Sequence, residues 1–154
     1  MSNGFVQRGG LWVLGQFTLM LVVAILGITC RTETRILAMS LGGLFFPGAS
    51  ALCGIAGMLA LGCKLAPYPK PTAQTELVQN GIYSLIRHPL YTAVFCAATG
   101  WSLMRGSWPG LAASLVLAVF FDAKARREER WLRQQFPDYD CYAQRVHRFI
   151  PWIY

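Results

Sequence analysis

The sequence predicts an all-α, polytopic membrane helix bundle of about four transmembrane helices with a C-terminal cytoplasmic helix. Three observations carry that reading. The 154 residues are 55% hydrophobic and only 14% charged, whereas a soluble domain carries about 25% charged residues. Residues 11–30 and 36–63 contain no charged side chain at all, and each stretch meets the roughly 20 apolar residues a helix needs to cross a bilayer. Two shorter apolar runs follow, separated by Arg105-Gly106-Ser107, which reads as the tight turn of a helical hairpin. The length allows one domain, 1–154.

The first span is expected over 11–30. It is longer than a signal-peptide core of about 7–15 residues, has only Arg8 ahead of it, and runs into Thr29-Cys30-Arg31 rather than a small-residue cleavage site. It therefore reads as a retained helix. Gln16 is its one strongly polar side chain, and a helix–helix hydrogen bond accounts for it. The second span is expected over 41–63. Pro47-Gly48 interrupts the longer apolar stretch, which is either one kinked or tilted helix or an interfacial segment followed by a span. Gly54, Gly57 and Gly62 give it a small-residue face for close packing.

Residues 64–89 are polar, and Pro67, Pro69 and Pro71 make their start extended. Spans three and four are expected over 90–104 and 108–122, with Trp101 and Trp108 anchoring the turn at the interface. Residues 123–154 are expected to be cytoplasmic, beginning with a charged helix to about Phe136 and continuing into an aromatic tail.

The net charge is +7, with seven of the fourteen basic residues after Asp122 beside four acidic ones. A basic segment beside a membrane helix marks the cytoplasmic side and meets anionic headgroups. Membrane lipids, and not nucleic acid, are its expected partners, and no obligate protein partner is indicated. The same rule places residues 64–89 and the N-terminus in the cytoplasm. With no organelle-targeting segment, a prokaryotic plasma membrane is the default. The spans carry no ionisable residue of the kind that marks an ion path. Five cysteines without a C-x-x-C pair, and two histidines, point to neither a metal centre nor a disulfide framework.

The chemistry then falls to two polar segments on one membrane face, residues 77–91 and Lys124 with Glu128-Glu129. In Arg87-His88-Pro89-Leu90-Tyr91, Pro89 suits the first turn of the helix it opens. The free N–H groups of that turn are a site for a carboxylate. Arg87 adds a bidentate grip, while Tyr83 and Tyr91 offer flat faces to a purine or a sulfonium. The alternative is an interfacial helix start, with Arg and His on headgroups. For the acidic pair, Lys124–Glu128 and Glu129–Arg133 at i,i+4 describe a solvated charged helix. The functional alternative is a carboxylate that binds ribose or offsets a sulfonium.

Together these segments resemble the isoprenylcysteine carboxyl methyltransferase and phospholipid methyltransferase superfamily of integral membrane enzymes. The resemblance lies in Leu77-Val78, Gly81, Tyr83, Arg87-His88-Pro89-Leu90-Tyr91, the hairpin, Glu128-Glu129, and a tail with Phe136-Pro137-Asp138-Tyr139, Tyr142, Arg145-Val146 and Phe149-Ile150-Pro151. It covers about two-thirds of the chain, roughly residues 47–152. It implies S-adenosyl-L-methionine as cofactor, held by Thr75, Glu76, Leu77, Val78, Tyr83, Arg87, His88, Pro89, Leu90, Tyr91 and Glu128. Lys124 falls where the isoprenylcysteine enzymes have an acceptor-binding arginine, and it lacks that residue's fork. Thr75 replaces a histidine.

The implied reaction is in-line displacement at the activated methyl group, with a lipid-like acceptor entering sideways from the bilayer. Lys124 and Glu129 are the expected catalytic residues; Glu129 or Glu128 would serve as base if the acceptor were a protonated amine. No metal is implied. Sterol and steroid reductases share the fold and a similar motif but use NADPH; they usually carry Asn where this chain has Leu90. A non-catalytic membrane relative is the third reading.

Overall fold

A computed structural model describes residues 9–32, 37–62 and 76–154. Its elements are α1 (Gly10–Thr29), α2 (Leu37–Leu61), a single 3-10 turn (Gly81–Ser84), α3 (Pro89–Arg105), α4 (Trp108–Gln135) and α5 (Tyr139–Arg145). Among the described residues, three helical segments are long and apolar enough to cross a membrane: Gly10–Thr29, Met39–Leu61 and Trp108–Gln135. Leu14, Phe17, Leu21, Ile25 and Ile28 of α1 and Leu44, Leu52 and Leu59 of α2 all stand exposed. Such continuous apolar surface is costly in water and costless in lipid. The molecule is an integral membrane helix bundle.

The second apolar stretch forms one helix with Pro47 inside it. Gly100 of α3 faces that proline, and a Cβ there would stand 2.8 Å from Pro47 Cδ. Gly54 lies against Ala93, and Gly57 against Leu90 and Pro89, so two of the three expected glycines do bring backbones together. Gly62 does not: nothing lies within 4 Å of its Cβ position. The proline-rich start of residues 64–89 lies outside the described residues.

The hairpin forms as expected. Gly106 closes α3 with a positive φ of 64°, a conformation that suits glycine. The Ser107 hydroxyl caps α4 by accepting from Gly110 N at 3.1 Å. Arg105 lies over the Trp101 ring and donates to Gly27 O of α1, so this end of α3 is fastened to α1. α3 is central. It packs against α2 on one side and against α1 and α4 on the other, where Val23, Ala98, Leu117 and Phe121 form the core.

α4 is one 28-residue helix that joins the fourth expected span to the charged segment. Its exposed stripe is apolar at Leu115, Val116 and Val119 and basic at Arg126, Arg127 and Arg130. The exposed surface of α4 thus changes from apolar to basic near Asp122. Beyond it the tail folds back, with Leu77, Leu132 and Phe136 packed on Tyr139, Tyr142 and Val146.

Candidate active site

Two backbone hydrogen bonds bring the tail to the Arg87-His88 segment. Arg87 N donates to His147 O at 2.9 Å and His88 N donates to Arg148 O at 3.1 Å, in an isolated parallel bridge between Ile86 and His147. The Tyr142 hydroxyl donates to Tyr83 O at 2.6 Å, and the Thr92 hydroxyl reaches Phe149 O at 3.2 Å. These bonds satisfy backbone groups that the start of α3 would otherwise leave open.

Glu129, only 1% exposed, sits at the centre. Arg148 donates from Nε to its Oε1 and from Nη2 to its Oε2, both at 3.0 Å. His88 Nε2 lies 3.1 Å from Oε1, and Arg87 Nη2 lies 3.3 Å from the same oxygen. Burial opposes the charge, but the hydrogen bonds from His88 and Arg148 and the positive charge of Arg87 outweigh it. They lower the carboxyl to about 2. Arg148 also donates from Nη1 to Asp122 Oδ1 at 2.9 Å, and Arg87 Nη1 to Ala143 O at 2.8 Å.

The second carboxylate has a different environment. Glu128 is half-buried and accepts from the Tyr91 hydroxyl at 2.7 Å. The Tyr91 ring stacks on His88, centroids 5.3 Å apart and planes within 2°, and on Phe121 at 4.9 Å and 4°. Lys124 Nζ stands 4.9 Å from the Tyr91 ring centroid and donates to Gln16 Oε1 of α1. Burial, with the charge of Glu128, raises the Tyr83 phenol well above its ordinary value.

The solvated-helix expectation for Lys124 to Arg133 does not hold. Lys124 is 3% exposed, and its partners are Gln16 and Tyr91. The Glu129–Arg133 pair is loose at 4.0 Å, because Arg148 and Arg87 already occupy the carboxylate. The Tyr91 ring is also not a free platform for a purine, since protein rings stack on it. Gln16 makes the interhelical hydrogen bond expected of it.

His88, Tyr91, Lys124, Glu128, Glu129 and Arg87 thus converge from segments about 40 residues apart, the His88–Glu129 separation being 41. Tyr83 closes the cluster near Glu128. Other expected residues stand apart from the carboxylates. Pro89 and Leu90 face Gly57 of α2, Leu77 packs into the tail cluster, Val78 is half-buried and Glu76 exposed. Thr75 lies outside the described residues. Arg148 and Asp122 were not anticipated, because nothing distinguishes them among the charges of the C-terminal part.

Two buried donors near this cluster, Arg87 Nε and the Tyr139 hydroxyl, have no partner among the described residues. Buried polar groups are nearly always paired, with protein or with ordered water. Burial, with the charge of Glu129, raises the Tyr139 phenol well above its ordinary value, and the charge of Arg87 opposes the rise.

A profile of the phospholipid methyltransferase family matches residues 37–139. Among curated proteins, a nickel-cobalt-cadmium resistance protein, NccN, of Alcaligenes xylosoxydans xylosoxydans is 41% identical over 88 residues, covering 56% of this chain and 41% of that protein. A probable protein-S-isoprenylcysteine O-methyltransferase of Oryza sativa subsp. indica is 39% identical over 82 residues, 52% of this chain and 43% of its own. The protein-S-isoprenylcysteine O-methyltransferase of Schizosaccharomyces pombe is 39% identical over 79 residues, 50% and 34% respectively. The chain spans less than half the length of these curated relatives in each match.

Proposed function

This chain belongs to the phospholipid methyltransferase family, and from that premise we propose that it transfers a methyl group from S-adenosyl-L-methionine to a lipophilic acceptor at the membrane surface. The observation that carries the reading is the convergence of His88 and Tyr91 with Glu128 and Glu129 at the end of the apolar bundle.

We assign the holding of the cofactor to residues 75–78, Tyr83, residues 87–91 and Glu128. The Arg87 guanidinium suits its carboxylate, and the Glu128 carboxylate suits its positive charge. When bound, the cofactor supplies an electrophilic methyl group on a sulfonium leaving group. The protein's task is then alignment and exclusion of water. Glu129 carries that task structurally. Its ionised carboxylate fixes Arg87, His88 and Arg148 in one array, and a carboxyl lowered to about 2 is a poor proton acceptor at neutral pH. A base, needed only for a protonated amine acceptor, is better sought in Glu128, which is half-buried and held by one hydroxyl.

Lys124, buried at the end of the apolar bundle and tied to Gln16, lies where a lipid-borne acceptor would approach. A prenylcysteine carboxylate, a phospholipid amine and another small lipophile all fit a site at this depth. The exposed arginines of α4 support a site on the cytoplasmic face of the membrane.

The test is incubation of the detergent-purified protein with methyl-labelled cofactor and three separate acceptors: a farnesylcysteine derivative, phosphatidylethanolamine and a total lipid extract. Label in any organic phase that is lost in His88→Ala supports the reading. Label in none of them, from protein shown to be folded, contradicts it.

A further inference from the structure

Residues 149–154 form a closed loop. Phe149 N and Ile150 N both donate to Tyr154 O, at 2.7 and 2.8 Å, and Tyr154 N donates back to Ile150 O at 3.1 Å. The loop is fastened to α4 by the Tyr154 hydroxyl, which donates to Asp122 Oδ1 at 3.0 Å and accepts from Arg126 Nη2 at 2.8 Å. It is fastened to the site by Arg148 and Phe149, whose carbonyls accept from His88 N and Thr92.

A loop so tightly tied has no need to display large apolar side chains, yet it does. Trp152 is 83% exposed and Ile153 76%. Trp152 has a φ of 62°, a region that ordinary side chains seldom adopt. The place where the loop is tied explains the exposure. Leu115, Val116 and Val119 lie exposed on α4, and one and two turns further the exposed positions are Ala123, Arg126 and Arg127. The face that meets lipid tails thus becomes the face that meets headgroups between Val119 and Arg126, and the loop is bonded to Asp122 and Arg126 at that boundary. Tryptophan is enriched at this level of a bilayer, and arginine there attracts anionic headgroups.

We propose that residues 149–154 seat in the headgroup region of the bilayer, with Trp152 and Ile153 as the anchors and Arg126 beside them. The occupant of this surface is lipid, not a protein partner. Since Arg148 and Phe149 hold the start of α3, the anchored loop fixes the site at a defined depth.

The test uses the full chain in nanodiscs of phosphatidylcholine and phosphatidylglycerol. Subtracting the emission of Trp152→Phe from that of the unaltered protein isolates Trp152 from the other four tryptophans. Lipids brominated near the top of the acyl chain should remove about half of this difference emission, as for a side chain at the interface, while aqueous iodide leaves it largely intact. The doubly changed Trp152→Phe, Ile153→Trp protein moves the probe by one residue and should report the same depth. Quenching by iodide but not by bromolipid in both proteins would place the loop in water and overturn the proposal.

Discussion

Arg148 holds both carboxylate oxygens of Glu129 from a tail position 19 residues further along the chain, at 3.0 Å each. This fork joins the C-terminal loop to the charged C-terminal half of α4, and through the Arg148 carbonyl to His88. The candidate site therefore depends on the tail as much as on the two motifs that flank the hairpin.

Arg148→Gln should be among the most damaging substitutions in the polar half of the molecule. Removing one partner of a buried ion pair costs about 3–5 kcal/mol when the other charge is left uncompensated; Arg87 and His88 still face this carboxylate, so the loss should fall below that range. Arg148→Lys should recover only part of that loss, since an ammonium cannot engage both oxygens at once. Thermal unfolding in micelles ranks the three proteins. Equal stability for all three would contradict the central place given to this pair.

The Glu129 carboxyl is lowered from an ordinary 4.5 to about 2. A group whose folded value is depressed stabilises the fold above its unfolded value and loses that contribution as pH falls toward the folded value. The stability difference between the unaltered protein and Glu129→Gln should accordingly be constant from about pH 6 to 8 and shrink below about pH 4.5. A difference that grew on acidification would have the wrong sign.

Tyr91→Phe separates architecture from chemistry. The stack on His88 and Phe121 survives the change, and only the bond from the hydroxyl to Glu128 is lost. A hydrogen bond to a charged group contributes about 1.5–3 kcal/mol, so the fold should persist. Methyl transfer should fall about tenfold or more through misplacement of the reacting groups. Unchanged turnover would remove Glu128 and Tyr91 from the site.

The glycines of the membrane region give a paired test of packing. A Cβ at Gly100 would stand 2.8 Å from Pro47 Cδ, whereas nothing lies within 4 Å of one at Gly48. Gly100→Ala should cost about 1–3 kcal/mol by overpacking. Gly48→Ala in the same bundle should be neutral or gain about 0.5–1 kcal/mol from the stiffer backbone. Both are read from unfolding midpoints in one detergent.

The hydrophobic segments and the hairpin were legible in the sequence because a bilayer imposes length and apolarity on each helix separately. The Arg87-to-Tyr91 segment and the acidic pair were legible as a family resemblance, and the fold brings them together. What was not legible is what the tail does. Lys124, Glu128, Glu129 and Arg133 have the spacing of a solvated helix, and it is Arg87, His88 and the returning Arg148 that cover Glu129. Lys124 is covered instead by Gln16 of α1, a contact across 108 residues. Local spacing carries no signal for either event. Pro47 was ambiguous for a similar reason: α2 continues through it against Gly100, a residue of another helix.

The most direct measurement is calorimetric titration of the detergent-purified protein with S-adenosylhomocysteine, the demethylated product of the proposed cofactor, with NADPH in a parallel cell. Saturable binding of the homocysteine compound at one site per chain, weakened at least tenfold in Tyr91→Phe and in Glu128→Ala, is the expected result, a loss of about 1.4 kcal/mol or more. Binding of NADPH alone would move the site to a reductase chemistry. Binding of neither ligand by folded protein would contradict the account.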